Sequence, residues 1–360
     1  VRVSVYDLTE GCKIAENVMG LTTQPIVKKG TELSAIHLEA LKAFNIQQVE
    51  VFSKLADGSD LDAEPVREGA IEPSEKFEAQ PFKKQYIELI NYYNGVFNAW
   101  QSGGKLDIVA LKSRLMPLLR QSSKDKSIIY QLHRWSEAKN YIAHHSVSTA
   151  IISYLLAEKA GYDQGGCMQF AVAGILTDTG MAKMPISILK KSGALNQEEA
   201  TEIRKHPLYS YQYVMDSPLL RNEMKSAILQ HHERLDGSGY PKGSRGSEVS
   251  RSSQVLALAD VFHAMTSERL YRAKKSPFKA LEVIWEDEMG KFDIALLKAL
   301  QEIVGGLATG TRVILSDERT AEVIFTQPQH LLRPIVKAAG TEEMIDLSKE
   351  RKLYIEQVIS

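Results

Sequence analysis

Residues 231–241 read HHERLDGSGYP. Two adjacent histidines and Glu233 run directly into an Asp-Gly-Ser-Gly turn, an order that predicts a helix delivering ligand-type side chains just before a sharp loop. Neutral imidazole is the commonest side-chain ligand for divalent transition metals. A histidine pair alone is nonetheless more often the polar end of a helix entering a surface turn. What shifts the balance is company: His145, Asp178, His206 and Asp260 are spaced through one long stretch of helical periodicity rather than bunched in a tail. Packed helices can bring such residues to one place.

The bounds around that stretch are those of an ordinary soluble protein. A chain of 360 residues, 44% hydrophobic, suffices for two or three domains with at least one substantial core. Lys and Arg number 44 against 45 acids, a net charge of -1 that gives no general reason to expect a nucleic acid polymer or an anionic membrane as partner. Any phosphate binding must come from local basic groups. Cys12 and Cys167 form no metal-type pair or disulfide framework, and a reducing, cytoplasmic setting is expected. The longest apolar run, residues 168–176 apart from Gln169, is too short to cross a bilayer, and no signal-peptide pattern opens the chain.

Outward from the core stretch, the chain divides by texture. Residues 1–56 alternate short strand-like runs (1–6 and 48–52) with one helix after Ser34, a plausible N-cap followed by Leu38, Leu41 and Phe44 on one face. This reads as a small α+β accessory domain. Residues 57–82 are acidic and proline-bearing and read as a linker. Helical periodicity governs 83–305, with early helices expected over 86–100, 106–119 and 127–135 and one beginning near Tyr141. The aromatics Tyr92, Tyr93, Phe97 and Trp100 are assigned to packing. From 306 to 360, short alternating runs at 311–315, 321–325, 334–336 and 353–359 predict a β-rich C-terminal subdomain. The fold class expected is therefore mainly α, with small β-containing ends. The chemistry is confined to residues 145–272.

Within that span, Asp178 follows the apolar segment 170–176 and precedes Gly180, where a buried helix meets a loop. It is either a carboxylate able to bridge two cations or simply a helix cap. His206 precedes Pro207 in a polar pattern, which for a lone histidine suggests the surface. Asp260 ends the apolar run 255–259, where an unpaired carboxylate would be costly and a metal would relieve that cost.

Taken together, His145, Asp178, Gly180, Pro185, His206, His231-His232, Asp236-Gly237-Ser238-Gly239-Tyr240-Pro241, Asp260, Arg269 and Tyr271-Arg272 resemble the HD-GYP family, over roughly residues 125–305. The family is an all-helical branch of the HD superfamily whose active members hydrolyse cyclic di-GMP with two or three metal ions, often iron or manganese. The resemblance implies His145 and Asp260 at a first metal, Asp178 bridging, and His206, His231 and His232 at a second. It also implies Arg269, Arg272 and Tyr240 at the substrate, with the guanidinium groups on its phosphates. Diguanylate cyclase (GGDEF) domains meeting the Gly-Tyr-Pro loop are a possible partner in the family, and a homodimer is a further option. The N-terminal segment resembles a small domain often found before HD-GYP domains, and no ligand is assigned to it.

The departures carry equal weight. The family reads His-Asp-x-Gly-Lys where this chain reads Thr177-Asp178-Thr179-Gly180-Met181. Threonine is a poor ligand for a transition metal, and Met181 cannot stabilise developing negative charge. Lys183 is expected to face elsewhere. Neither Asn140 nor Tyr141 supplies a carboxylate for a third ion. Two readings stand: a divergent phosphodiesterase with one or two ions and slow turnover to pGpG or GMP, or a sensor or interaction module that keeps the fold without turnover.

Overall fold

The computed structural model describes residues 2–5, 8–19, 25–43, 46, 48–54, 80–135, 140–191, 193–267 and 274–359. The chain forms two compact units, one of residues 78–304 and one combining 1–77 with 305–360.

In the second of these, β1 (Arg2–Ser4) pairs antiparallel with β4 (Gln48–Glu50), and β2 (Val18–Met19) with β3 (Pro25–Val27). The helix α1 (Ala35–Ala43) starts after Ser34, as the sequence predicts, and buries Leu41 against Val3, Ile14, Val27 and Val51. Phe44 lies outside the described residues. The C-terminal strands β5 (Arg312–Leu315), β6 (Thr320–Phe325), β7 (Ile335–Ala338), β8 (Met344–Asp346) and β9 (Ile355–Val358) form one antiparallel sheet ordered β8-β7-β6-β5-β9. The short β8 went unread in the sequence. Residues 1–56 and 306–360, which the sequence separates, are tied directly: Lys28 pairs with Glu342 at 2.9 Å, and the Lys337 ammonium donates to the Pro25 carbonyl at 3.3 Å.

The helical unit opens with α2 (Gln80–Gln101), which begins inside the stretch expected to be linker, followed by α3 (Ile108–Lys124) and α4 (Ile129–Trp135). Then come α5 (Tyr141–Lys159), α6 (Gln164–Leu176), α7 (Ile186–Leu189), α8 (Gln197–Ile203) and α9 (His206–Val214). The unit closes with α10 (Asn222–Gln230), α11 (Arg251–Thr266), α12 (Pro277–Asp287) and α13 (Ile294–Gly305). Among the described residues, no helix is long and apolar enough to cross a membrane.

Helix α5 is the axis of this unit. It is apolar or small on all sides, is buried from Ala143 through Ala157, and packs against α2, α3, α6 and α11. Its polar positions are served by the α2 tyrosines: Tyr86 Oη lies 2.9 Å from Ser148 Oγ and 3.1 Å from His144 Nδ1, and Ser146 Oγ donates to Tyr93 Oη at 2.9 Å. Tyr93, Phe97 and Trp100 are therefore core, as the sequence assigned them, and Tyr92 lies under the Arg114 guanidinium at 3.9 Å. Close approach of α6 depends on Gly174, where a Cβ would come within 2.9 Å of Ala150 Cα.

Candidate metal centre

Five segments converge on one buried point. Helix α5 contributes His145, the turn after α6 contributes Asp178, and α9 begins at His206 with Pro207 in its first turn. The C-terminal end of α10 presents His231 and His232, and α11 presents Asp260. Asp178 occupies the residue before the short helical turn 179–183 and makes no side-chain capping bond to it. The turn that carries it is clamped to α9: Ser210 Oγ donates to the Thr177 carbonyl at 2.5 Å and accepts from Gly180 N at 2.8 Å. A side chain at Gly180 would overlap the His206 carbonyl and Ser210 nitrogen.

The distances are those of groups facing a common centre. His206 Nε2 lies 3.2 Å from Asp178 Oδ1 and 3.3 Å from His231 Nε2, and His231 Nε2 lies 3.8 Å from the same carboxylate oxygen. Asp178, His206, His231 and His232 each offer one ligand atom within 4.8 Å of the others, a group able to hold a metal ion. On the other side, His145 Nε2 is 2.7 Å from Asp260 Oδ1 and 3.5 Å from Asp178 Oδ2, while His232 Nδ1 is 3.6 Å from Asp260 Oδ2. Asp178 thus touches both groups. His206 and His231 direct Nδ1 at the carbonyls of Ile203 and Ile228, each at 2.7 Å. A carbonyl can only accept, so each Nδ1 donates there, and in the neutral ring the Nε2 lone pair is left for the centre.

The loop of residues 233–244 closes over this point. The buried Glu233 carboxylate accepts from Lys242 N at 2.7 Å and Ser244 N at 3.0 Å, and Tyr240 N donates to the His232 carbonyl at 3.1 Å. Tyr240 stacks on His232 with ring centroids 4.6 Å apart, and the Tyr240–Pro241 peptide is cis. Arg204 stands 5.7 Å over the Tyr240 ring. Beside His232 and Asp260, a cavity of about 390 Å³ is bounded by Arg234, Val261, Met265 and Glu288.

With this geometry in place, comparison with known proteins is direct: the sequence profile described as "HD domain" matches residues 112–296, more than half of the chain. The chain belongs to the HD domain family. Among relatives of this HD domain protein, the cyclic di-GMP phosphodiesterase PA4108 of Pseudomonas aeruginosa is 30% identical over 209 residues, covering 58% of this chain and 50% of that protein. The cyclic di-GMP phosphodiesterase response regulator RpfG of Xanthomonas campestris pv. campestris is 32% identical over 168 residues, 44% of each chain. The 3'3'-cGAMP-specific phosphodiesterase 3 of Vibrio cholerae is 31% identical over 162 residues, 45% of this chain and 35% of that one. The chain spans half or less of the length of these relatives. The solved structure of Bd1817, an HDG"Y"P protein from Bdellovibrio bacteriovorus, matches with a TM-score of 0.51 at 16% identity, over 84% of this chain and 99% of that one, a likeness of fold. Its Gly-Tyr-Pro loop, residues 239–241, is the feature that resembles the HD-GYP branch of that family.

Burial alone would raise the Asp178 carboxyl, but the His206 hydrogen bond and charge, with His145 and His231, hold it well below the usual carboxylate range. For Asp260, burial is likewise overcome, chiefly by the hydrogen bond and charge of His145. Burial would lower His206, yet Asp178 raises it. His231 goes the other way, down to about 4, because burial and then the His206 charge disfavour its protonation. His232 is lowered well below its ordinary value by burial and by both neighbouring histidines.

All six proposed ligands of the HD domain therefore meet, and Tyr240 lies beside them. His206, which local sequence suggested as a surface residue, is buried because α9 starts against the Asp178 turn. Arg269 and Arg272 lie outside the described residues. Helix α11 ends at Thr266, with Ser267 extended. The Thr177 side chain is fully buried, and its hydroxyl donates to the Gly174 carbonyl at 2.9 Å. Lys183 places its ammonium over the Tyr209 and Tyr213 rings, at 5.4 and 5.3 Å, away from Asp178 as expected. His263 was missed. It is fully buried, with Nδ1 2.9 Å from His145 Nδ1, and its spacing three residues after Asp260 on α11 was the available signal.

Proposed function

We propose that the chain is a metal-dependent phosphodiesterase that hydrolyses cyclic di-GMP to linear pGpG or GMP at a two-ion site with unequal occupancy. The observation that carries this reading is the placement of Asp178 between the His206–His231 pair and His145. Asp178, His206, His231 and His232 would hold the firm ion, and imidazole with carboxylate suits iron or manganese. His145, Asp178 and Asp260 would hold the weaker one, since the Thr177 hydroxyl is engaged with Gly174. When bound, such ions lower the pKa of water and neutralise phosphate oxygens.

The protein's own groups would do the rest. The stacked Tyr240 and His232 rings offer a face to a base or ribose, Arg204 stands over the same tyrosine, and Arg269 and Arg272 would bind phosphate oxygens. Met181 supplies no cation beside Asp178, which predicts slow turnover. The same feature favours the second reading, a module that binds the nucleotide, or a GGDEF domain through the Gly-Tyr-Pro loop, without cleaving.

Turnover of cyclic di-GMP and of 3'3'-cGAMP by the manganese- or iron-loaded protein, followed by chromatography of the products, decides between the readings. Slow metal-dependent loss of cyclic di-GMP is expected, rising about tenfold or more in the Thr177→His/Met181→Lys double variant. Binding without product in both proteins would leave the sensor reading. Cleavage of 3'3'-cGAMP alone would move the substrate.

A further inference from the structure

His145 differs from the other histidines of the site in what holds its outer nitrogen. Its Nε2 faces the two carboxylates, at 2.7 Å from Asp260 and 3.5 Å from Asp178. For Nε2 to offer a lone pair to a cation, the neutral ring must carry its proton on Nδ1, and that proton needs an acceptor. Among the described residues, no backbone carbonyl plays the part that Ile203 and Ile228 play for His206 and His231; the groups near Nδ1 there are His263 Nδ1 at 2.9 Å and Tyr141 Oη at 3.4 Å. The imidazole is the nearer.

We propose that His263, backed by Ser267, is a positioning residue that fixes the proton and ring orientation of His145 and so makes the ion site at His145, Asp178 and Asp260. Without a cation at Nε2, Nε2–H donates to Asp260 and Nδ1 accepts, whereas with one there the hydrogen bonds run in the other direction. His145 Nδ1–H then donates to His263 Nδ1, which leaves the His263 proton on Nε2, and the Ser267 hydroxyl packs on the ring, 3.0 Å from Nε2. The Ser267 hydroxyl is held close to the ring, 3.2 Å from its Nδ1, because α11 ends at Thr266 and the extended Ser267 folds back over it. Both residues are fully buried, so water does not readily replace the acceptor. An imidazole can present N–H or lone pair at the same position, so this half of the site depends on the identity of residue 263, whereas a carbonyl acceptor does not.

The inference rests on the two-ion reading and is separable from it. Manganese titration of the full chain, with elemental analysis and thermal unfolding, is run on the unaltered protein and on His145→Ala, His263→Leu, His263→Asn and Ser267→Ala. The unaltered protein should show a tight class and a weaker class, and His145→Ala should lose the weaker one. His263→Leu, which fills space without an acceptor, should weaken that class about 10- to 100-fold and leave the tight class unchanged. His263→Asn, whose amide oxygen stands where Nδ1 was, should restore it. Ser267→Ala should weaken it several-fold and carries the test if the Leu variant does not fold. A protein that binds no second ion, or whose second ion survives His145→Ala, overturns the two-ion reading and this inference together. Loss of the second ion in His145→Ala, with His263→Leu or Ser267→Ala binding as the unaltered protein does, overturns this inference alone. Equal weakening of both classes, or failure of Asn to rescue, reduces His263 to packing.

Discussion

His206 and His231 hand their outer ring protons to backbone carbonyls of the turns that precede them, whereas His145 meets another side chain, His263. The first arrangement comes with the helices: once α8 and α10 form, Ile203 and Ile228 present their carbonyls whatever their side chains are. The second must be specified residue by residue. The two halves of one site thus differ in tolerance, and the replacements that set this chain apart from the family pattern, Thr177 and Met181, flank Asp178 where the halves meet.

The strongest way to break this comparison is to remove what joins the halves. Asp178 lies 3.2 Å from His206, 3.8 Å from His231 and 3.5 Å from His145, so Asp178→Asn should weaken both ion classes together, each on the order of 100-fold. Manganese titration would measure it. Loss of one class with the other untouched would show that the halves do not share this carboxylate.

A smaller effect separates the halves by pH in chelator-treated protein. His231 is held near 4 and His232 well below its ordinary value, so both stay neutral in the folded state while the unfolded chain takes up protons near 6.5. Their contribution is present above 6.5 and is lost as pH falls toward 4, ~3 kcal/mol for His231. His206, whose pKa is raised, contributes fully below 6.5 and loses that contribution only as pH rises through its folded value. The carboxylates Asp178 and Asp260 add a further loss below about 4. Urea unfolding at pH 7, 5 and 4 should show the fall, and His231→Asn, whose amide still reaches the Ile228 carbonyl, should flatten it. An unchanged slope would remove His231 as its source.

What could be read in advance follows the same division. Helices α2 to α4 were legible because their apolar residues recur at three and four; Asp178 and Asp260 stood out at the ends of apolar runs, while His145, His206, His231 and His232 were read as ligands through the resemblance to the HD-GYP pattern. His263 was not legible, because a histidine three residues past Asp260 in an apolar helix looks like any core residue until its partner on α5 is placed beside it. The burial of His206 was hidden for a similar reason: it depends on Gly180 admitting α9 at a distance no larger residue allows, a contact between segments far apart in sequence. The pairing of residues 1–77 with 305–360 in one unit is a third such case, since strand periodicity says nothing about which distant segment a strand meets.

The mildest change tests whether the Gly-Tyr-Pro loop belongs to either half. Glu233 sits on the chain between His232 and the loop, and both its oxygens are spent on loop N–H groups, those of Lys242 and Ser244. Among the described residues, no ligand-type atom of the centre is one of its partners. In Glu233→Gln one oxygen becomes an NH2 group facing a backbone N–H, so one buried donor loses its acceptor, at a cost of ~2 kcal/mol in stability. Because His231 is held from Ile228 rather than from the loop, both manganese classes should stay within a few-fold of the unaltered protein, while Tyr240, carried by the loop, should lose its fixed stack on His232. The expected signature is therefore weaker cyclic di-GMP binding by calorimetry at unchanged metal stoichiometry. If metal affinity falls with nucleotide affinity, the loop is part of the fold-encoded half, and the centre is held from above by Glu233 as well as from behind by Ile203 and Ile228.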